Sequence, residues 1–347
     1  MPGIPAGSVL QQITRACDQI ASESTSELRI DDGALQAYAN ALDPAEVRAA
    51  AEQSRLPIRF DNEQSEVNLM ALQRLLDFGS GYEPLLAAAT GRSARETMQF
   101  GVIGLHISGQ ALDAAFLGGL SAFALASYFG FPAQQDSQLQ PGIYISRPGP
   151  LAGLSERMRA VLHGAGAALA SAGVADLGAL VLQLVDARRS SRQPVNAAAL
   201  VTALAEAVPG FADYAQWRGQ AVPLHRKAAG LAGDLAARFG TEDPRFAFAD
   251  AADLPADSGN ALQAPLRYLG ILRLSEPLAR AVDAGEDMPP GPQETALRAA
   301  AVAACARVAA AAPGGVTAHQ VGAYLLARTS GETGLPPGHL TRDTAAY

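Results

Sequence analysis

Residues 63–78 read EQSEVNLMALQRLLDF, and their spacing decides the fold class. Val67, Leu69, Met70, Leu72, Leu75 and Leu76 gather on one side of a 3.6-residue period, which predicts an amphipathic helix. Gly79-Ser80-Gly81 follows and favours a sharp exit from that helix. Outward in both directions the same helical period recurs, and no long run alternates with period two. The expectation is an all-α protein, a single multi-helix domain spanning 1–347, with lobes 1–131 and 151–347 joined by a Pro/Gln/Gly-rich loop at 132–150.

Towards the N-terminus, 9–23 forms a helix, and Asp31-Asp32-Gly33 opens another carrying Leu35, Tyr38 and Leu42, with Ile30 placed to staple onto it. Further on, helices are predicted over 91–109, 111–129, 223–239, 260–272, 276–284, 293–312 and 318–326, separated by Gly and Pro breaks. Ile143-Tyr144-Ile145-Ser146 is extended in character but has no evident partner strand. No repeat of fixed period is visible.

Composition narrows the function classes. The 347 residues are 49% hydrophobic and 17% charged, the balance of a folded chain. A formal net charge of -8 argues against a generic nucleic-acid surface, which relies on Lys and Arg to neutralise phosphates. A small anionic ligand needs only one or two placed cations. Cys17 and Cys305 stand far apart with no metal-ligand spacing, which fits a reducing, cytoplasmic setting and no zinc site. Met1 to Ser8 shows no secretory signal. The uncharged run 114–131 just reaches spanning length, but without flanking basic clusters it reads as a core helix.

Several familiar patterns fail. Gly164-Ala165-Gly166 lacks the third glycine and preceding strand of a dinucleotide fingerprint, and is read as close helix packing. The histidines form no i, i+4 pair, so metal catalysis has no support. Ser80 lacks the strand, elbow and helix of a hydrolase nucleophile. Most informative is the polar loop that carries Asp257 and Asn260 into an apolar helix, where the plain local reading of either side chain is a helix N-cap.

Several segments in order resemble the queuosine salvage family of queuosine 5′-phosphate N-glycosylases. Arg15-Ala16-Cys17 through Glu23 and Leu28-Arg29-Ile30-Asp31-Asp32-Gly33 resemble its opening. Leu76-Asp77-Phe78 resembles its Leu-Asn-Phe signature, with Asp77 for Asn. Val208-Pro209-Gly210-Phe211, Trp217-Arg218-Gly219 and His225-Arg226-Lys227-Ala228 resemble a later block containing Tyr-Lys-Arg-Ala, which sets Arg226 at the lysine position and Lys227 at the arginine position. Leu269-Gly270 and His339-Leu340-Thr341-Arg342 with Tyr347 complete the series.

This resemblance implies a helical, DNA-glycosylase-like architecture, with no cofactor, no direct nucleic-acid partner and no membrane. It also implies cleavage of queuosine 5′-monophosphate to release queuine for tRNA modification, catalysed by an aspartate ahead of the Leu-Gly helix. A gapless comparison puts Gly259 there. A two-residue loop shift puts Asp257 there, with Asp250 as rival. The carboxylate would stabilise positive charge on the ribose. Arg226 and Lys227 would hold the phosphate, Asp77 the cationic side chain of the base, Phe78 or Tyr82 its ring, and Asn260 the loop or ligand. The alternative is an inactive relative that binds a nucleotide or a protein.

Overall fold

The computed structural model describes residues 7–52, 58–190, 194–329, 332 and 334–347, so residues 1–6 of the N-terminal stretch lie outside it. Sixteen α-helices and three two-stranded antiparallel pairs make up the described residues, so the chain is mostly helical, as expected. It divides into two compact units, each assembled from separate stretches. The first comprises Met1–Arg59, Leu184–Ala205 and Ala212–Leu340, and the second Phe60–Gln183, Glu206–Phe211 and Thr341–Tyr347.

The first unit is built around the helix Pro292–Ala311, whose residues from Glu294 to Cys305 are buried. Its alanines let neighbouring helices approach closely. Ile13, Cys17 and Ile20 of the helix Val9–Glu23 and Leu35 and Ala39 of the helix Asp32–Ala41 share its core. Asp31 caps the latter by accepting the Ala34 N–H, as its position before the glycine predicts. Ile30 packs against the core that holds Leu35 and also ends a strand: Leu28–Ile30 pairs with Leu272–Leu274, Ile30 opposite Leu272. The helix expected over 260–272 is therefore only Gln263–Tyr268, and Gly270, with φ +69°, turns the chain into that strand.

In the second unit, the helix from the opening stretch runs Glu63–Leu75, capped by Asn62, with Val67, Leu69, Leu72 and Leu75 buried. The helix expected over 111–129 is two, Ala114–Gly119 and Ala122–Phe129. Asp113 and Ser121 each cap one piece, and two glycines weaken the junction. No single helix among the described residues is long and apolar enough to cross a membrane. Gly166 does mark close packing, since a Cβ there would lie 2.7 Å from Ala114 O and Gly118 N, whereas Gly164 faces open space.

The 132–150 loop is also corrected. Gln134–Gln140 pairs with Ile143–Pro148, supplying the strand partner that 143–146 lacked, around a turn with Gly142 at φ +81°. The hairpin is exposed over most of both faces, so burial imposed no period-two pattern on its sequence.

Candidate active site

The polar loop over 254–262 lies in the first unit, and its carboxylate is not a helix cap. Asp257 Oδ1 accepts the Gly259 N–H at 2.7 Å, closing a local turn, and the Arg226 Nε–H at 2.8 Å. The two side chains are only 9% and 18% exposed for Arg226 and Asp257, so this pair is weakly screened compared with a surface ion pair. Helix Gln263–Tyr268 starts at Leu262 without a side-chain cap. The rival Asp250 has a different task, its two oxygens accepting the Ala197 and Ala198 N–H groups at 2.6 and 3.0 Å, which caps the start of the helix Ala197–Ala207.

Arg226 is the first residue of the helix Arg226–Phe239, and the turn that delivers it is unusual. His225 has φ 42° and ψ 40°, a left-handed conformation that non-glycine residues seldom adopt. Asp213 fixes the turn. Its carbonyl accepts the Leu224 and His225 N–H groups at 2.9 and 3.1 Å, its own N–H donates to His225 Nδ1 at 3.4 Å, and its carboxylate accepts the Arg226 N–H at 3.4 Å. Burial holds His225 below the usual histidine range, against the opposing pull of Asp213, and so favours the neutral imidazole. Lys227 is buried in the first helical turn. Arg226 and Lys227 thus form a cationic helix start packed into the unit.

Residues that sequence reasoning missed hold the loop from behind. Arg298, buried on the helix Pro292–Ala311, donates to Ser258 O at 2.7 Å, to Glu294 Oε1 at 3.3 Å and to Asp213 Oδ2. The available signal was the i, i+4 pair Glu294 and Arg298 in an alanine-rich helix. Asn260 is an anchor and not a cap: its buried Nδ2 donates to His339 O at 2.8 Å. His339 in turn packs on Gln263, its N–H donating to Oε1 at 3.2 Å. The segment at 338–340 thereby closes over the loop, and a Cβ at Gly338 would meet Asn260 O at 2.5 Å.

The other predicted contacts belong to the second unit. Asp77 pairs with Arg74 Nη1 at 3.3 Å, while Phe78 and Tyr82 are buried there. Between them Gly79, at φ +104°, donates its N–H to Tyr347 O at 3.0 Å. Among the described residues no group of His, Cys, Asp and Glu side chains is arranged to hold a metal ion. A cavity of about 560 Å³ in the first unit is lined by Asp253 and Leu254, with Gln11, Arg15 and Val316, but not by Asp257.

Residues 133–324 match the family profile described as queuosine salvage protein, a span that contains Arg226, Asp257, Asn260 and Arg298. A curated relative from Sphaerobacter thermophilus, named queuosine 5′-phosphate N-glycosylase/hydrolase, is 35% identical over 108 residues. That match covers 31% of this chain and 33% of the relative, about a third of the relative's length.

Proposed function

This chain belongs to the queuosine salvage protein family, and from that premise we propose that it hydrolyses the N-glycosidic bond of queuosine 5′-monophosphate. Water adds its hydroxyl to the anomeric carbon, its proton goes to the departing base, and queuine and ribose 5-phosphate are the products. Because queuine is a 7-deazaguanine, carbon replaces the ring nitrogen through which a purine is usually protonated as it leaves. Stabilising the cationic ribose therefore carries more of the barrier.

Asp257 is the group for that task. A fixed carboxylate beneath the sugar favours positive charge as it develops, without having to reorganise during the reaction. Arg226 orients it through Nε. With Lys227 and the helix N-terminus, Arg226 also supplies the positive potential that a monophosphate requires. Asn260 keeps the loop in register through His339. The reaction takes place in the cytoplasm and draws on no metal or organic cofactor.

The observation that carries this reading is the grip on the Asp257 carboxylate, at 2.7 Å from Gly259 N–H and 2.8 Å from Arg226 Nε–H. Its test is chromatography of free queuine from protein incubated with queuosine 5′-monophosphate. Asp257→Asn is expected to lower turnover by about 100- to 1,000-fold, the scale of losing one preorganised electrostatic stabiliser. Asp250→Asn, a capping change, keeps wild-type turnover. Release that survives in Asp257→Asn rejects that residue. A folded wild type that binds the nucleotide, seen as thermal stabilisation, but releases no queuine is a binding protein and not an enzyme.

A further inference from the structure

We propose that Arg298 is the positioning residue of this site, fixing the Asp257 loop and the start of the Arg226 helix in one register; the proposal rests on Asp257 being the catalytic carboxylate. The guanidinium addresses three separate segments. Nε holds the Ser258 carbonyl, next in sequence to Asp257; Nη2 holds the Asp213 carboxylate; and Nη1 holds Glu294 on its own helix. Asp213 is the residue whose carbonyl and carboxylate collect the N–H groups of Leu224, His225 and Arg226. Both members of the Arg226 and Asp257 pair are therefore referenced to a single planar cation.

The burial of that cation argues for more than stability. Its side chain is 3% exposed, and those of Asp213 and Glu294 are each 5% exposed. A buried ionic cluster loses hydration that its attractions repay only with good geometry, and apolar side chains of equal volume often serve stability as well. What apolar side chains cannot do is fix the direction of a carbonyl and a carboxylate together. Lysine cannot do so either, since a point charge on a flexible stem lacks the planar fork that engages several acceptors at set angles. The neighbouring Gly259 N–H, which closes the Asp257 turn, reports directly on whether the loop is held.

The test compares Arg298→Lys with Val302→Ala, a buried core truncation on the same helix whose side chain carries no hydrogen-bonding group. In Arg298→Lys, kcat for queuine release is expected to fall about 100-fold, the scale of misplacing a reacting group by about 1 Å, with KM within about threefold. Val302→Ala keeps wild-type kcat. By hydrogen exchange, the Gly259 amide opens at least about tenfold faster in Arg298→Lys, while Val302→Ala leaves it unchanged and amides of Pro292–Ala311 stay protected in both. Wild-type kcat or wild-type Gly259 exchange in Arg298→Lys overturns the proposal. Should the wild type release no queuine, the functional reading fails alone, and the exchange measurement still decides whether Arg298 positions the loop. If Arg298→Lys does not fold, Asp213→Asn loosens the same clamp from its other end; slower turnover with faster Gly259 exchange then supports the proposal, and wild-type behaviour in either overturns it.

Discussion

Asp250 and Asp257 enter the same region of chain with the same chemistry, and their surroundings give them different roles. Asp250 faces the open N–H groups of a helix start, whereas Asp257 faces a guanidinium and the N–H of its own turn. His339 supplies the pH dependence at this scale. Burial first, and the charge of Arg298 second, push its imidazole from 6.5 down to about 3. The unfolded chain takes up that proton near pH 6.5 and the folded chain does not until about 3. Stability from this group is therefore full above the unfolded value and is lost as pH falls through the window between the two. Urea unfolding at pH 7 and pH 5 is expected to show wild type losing about 2 kcal/mol more than His339→Gln. Equal losses would mean that His339 is protonated in the folded state.

Among the elements, the two glycines of Gly164-Ala165-Gly166 separate two roles on one helix. Gly164 meets nothing within 4 Å, so Gly164→Ala is expected to stabilise by up to about 1 kcal/mol through helix propensity. Gly166 lies against the backbone of the helix Ala114–Gly119, and Gly166→Ala is expected to cost about 1–3 kcal/mol through overpacking, read as a lower urea midpoint. The helical period and the cap at Asp31 are legible in the residues themselves. The strands are not: Leu28–Ile30 and Leu272–Leu274 are three residues each, too short to show a period, and the 134–148 hairpin has no buried face to write one.

Over the whole molecule, each unit draws on distant parts of the chain. Helix Val9–Glu23 buries Ile13, Cys17 and Ile20 in a core with the helix Pro292–Ala311. A fragment of residues 1–183 leaves that apolar face uncovered and is expected to show helical circular dichroism without a cooperative unfolding transition, and to aggregate on size-exclusion chromatography. A monomeric fragment with a sharp transition would show that its helices find a sufficient core without the missing stretches. Cys17 and Cys305 belong to the same interior, and burial raises both thiols to about 12, leaving them unreactive at neutral pH.

The sequence alone determined what rests on local periodicity and composition: a helical chain, the helix start marked by Asp31, and a polar loop that stands out because it interrupts apolar helices. Its ordered segments also carried the family resemblance. Only the tertiary structure distinguished Asp257 from Asp250, buried Arg226 and Lys227, and brought Arg298 and His339 to the loop. Each of those outcomes depends on contacts between residues far apart in the chain, and hydrophobic spacing records which face is buried but not which polar group waits on the other side.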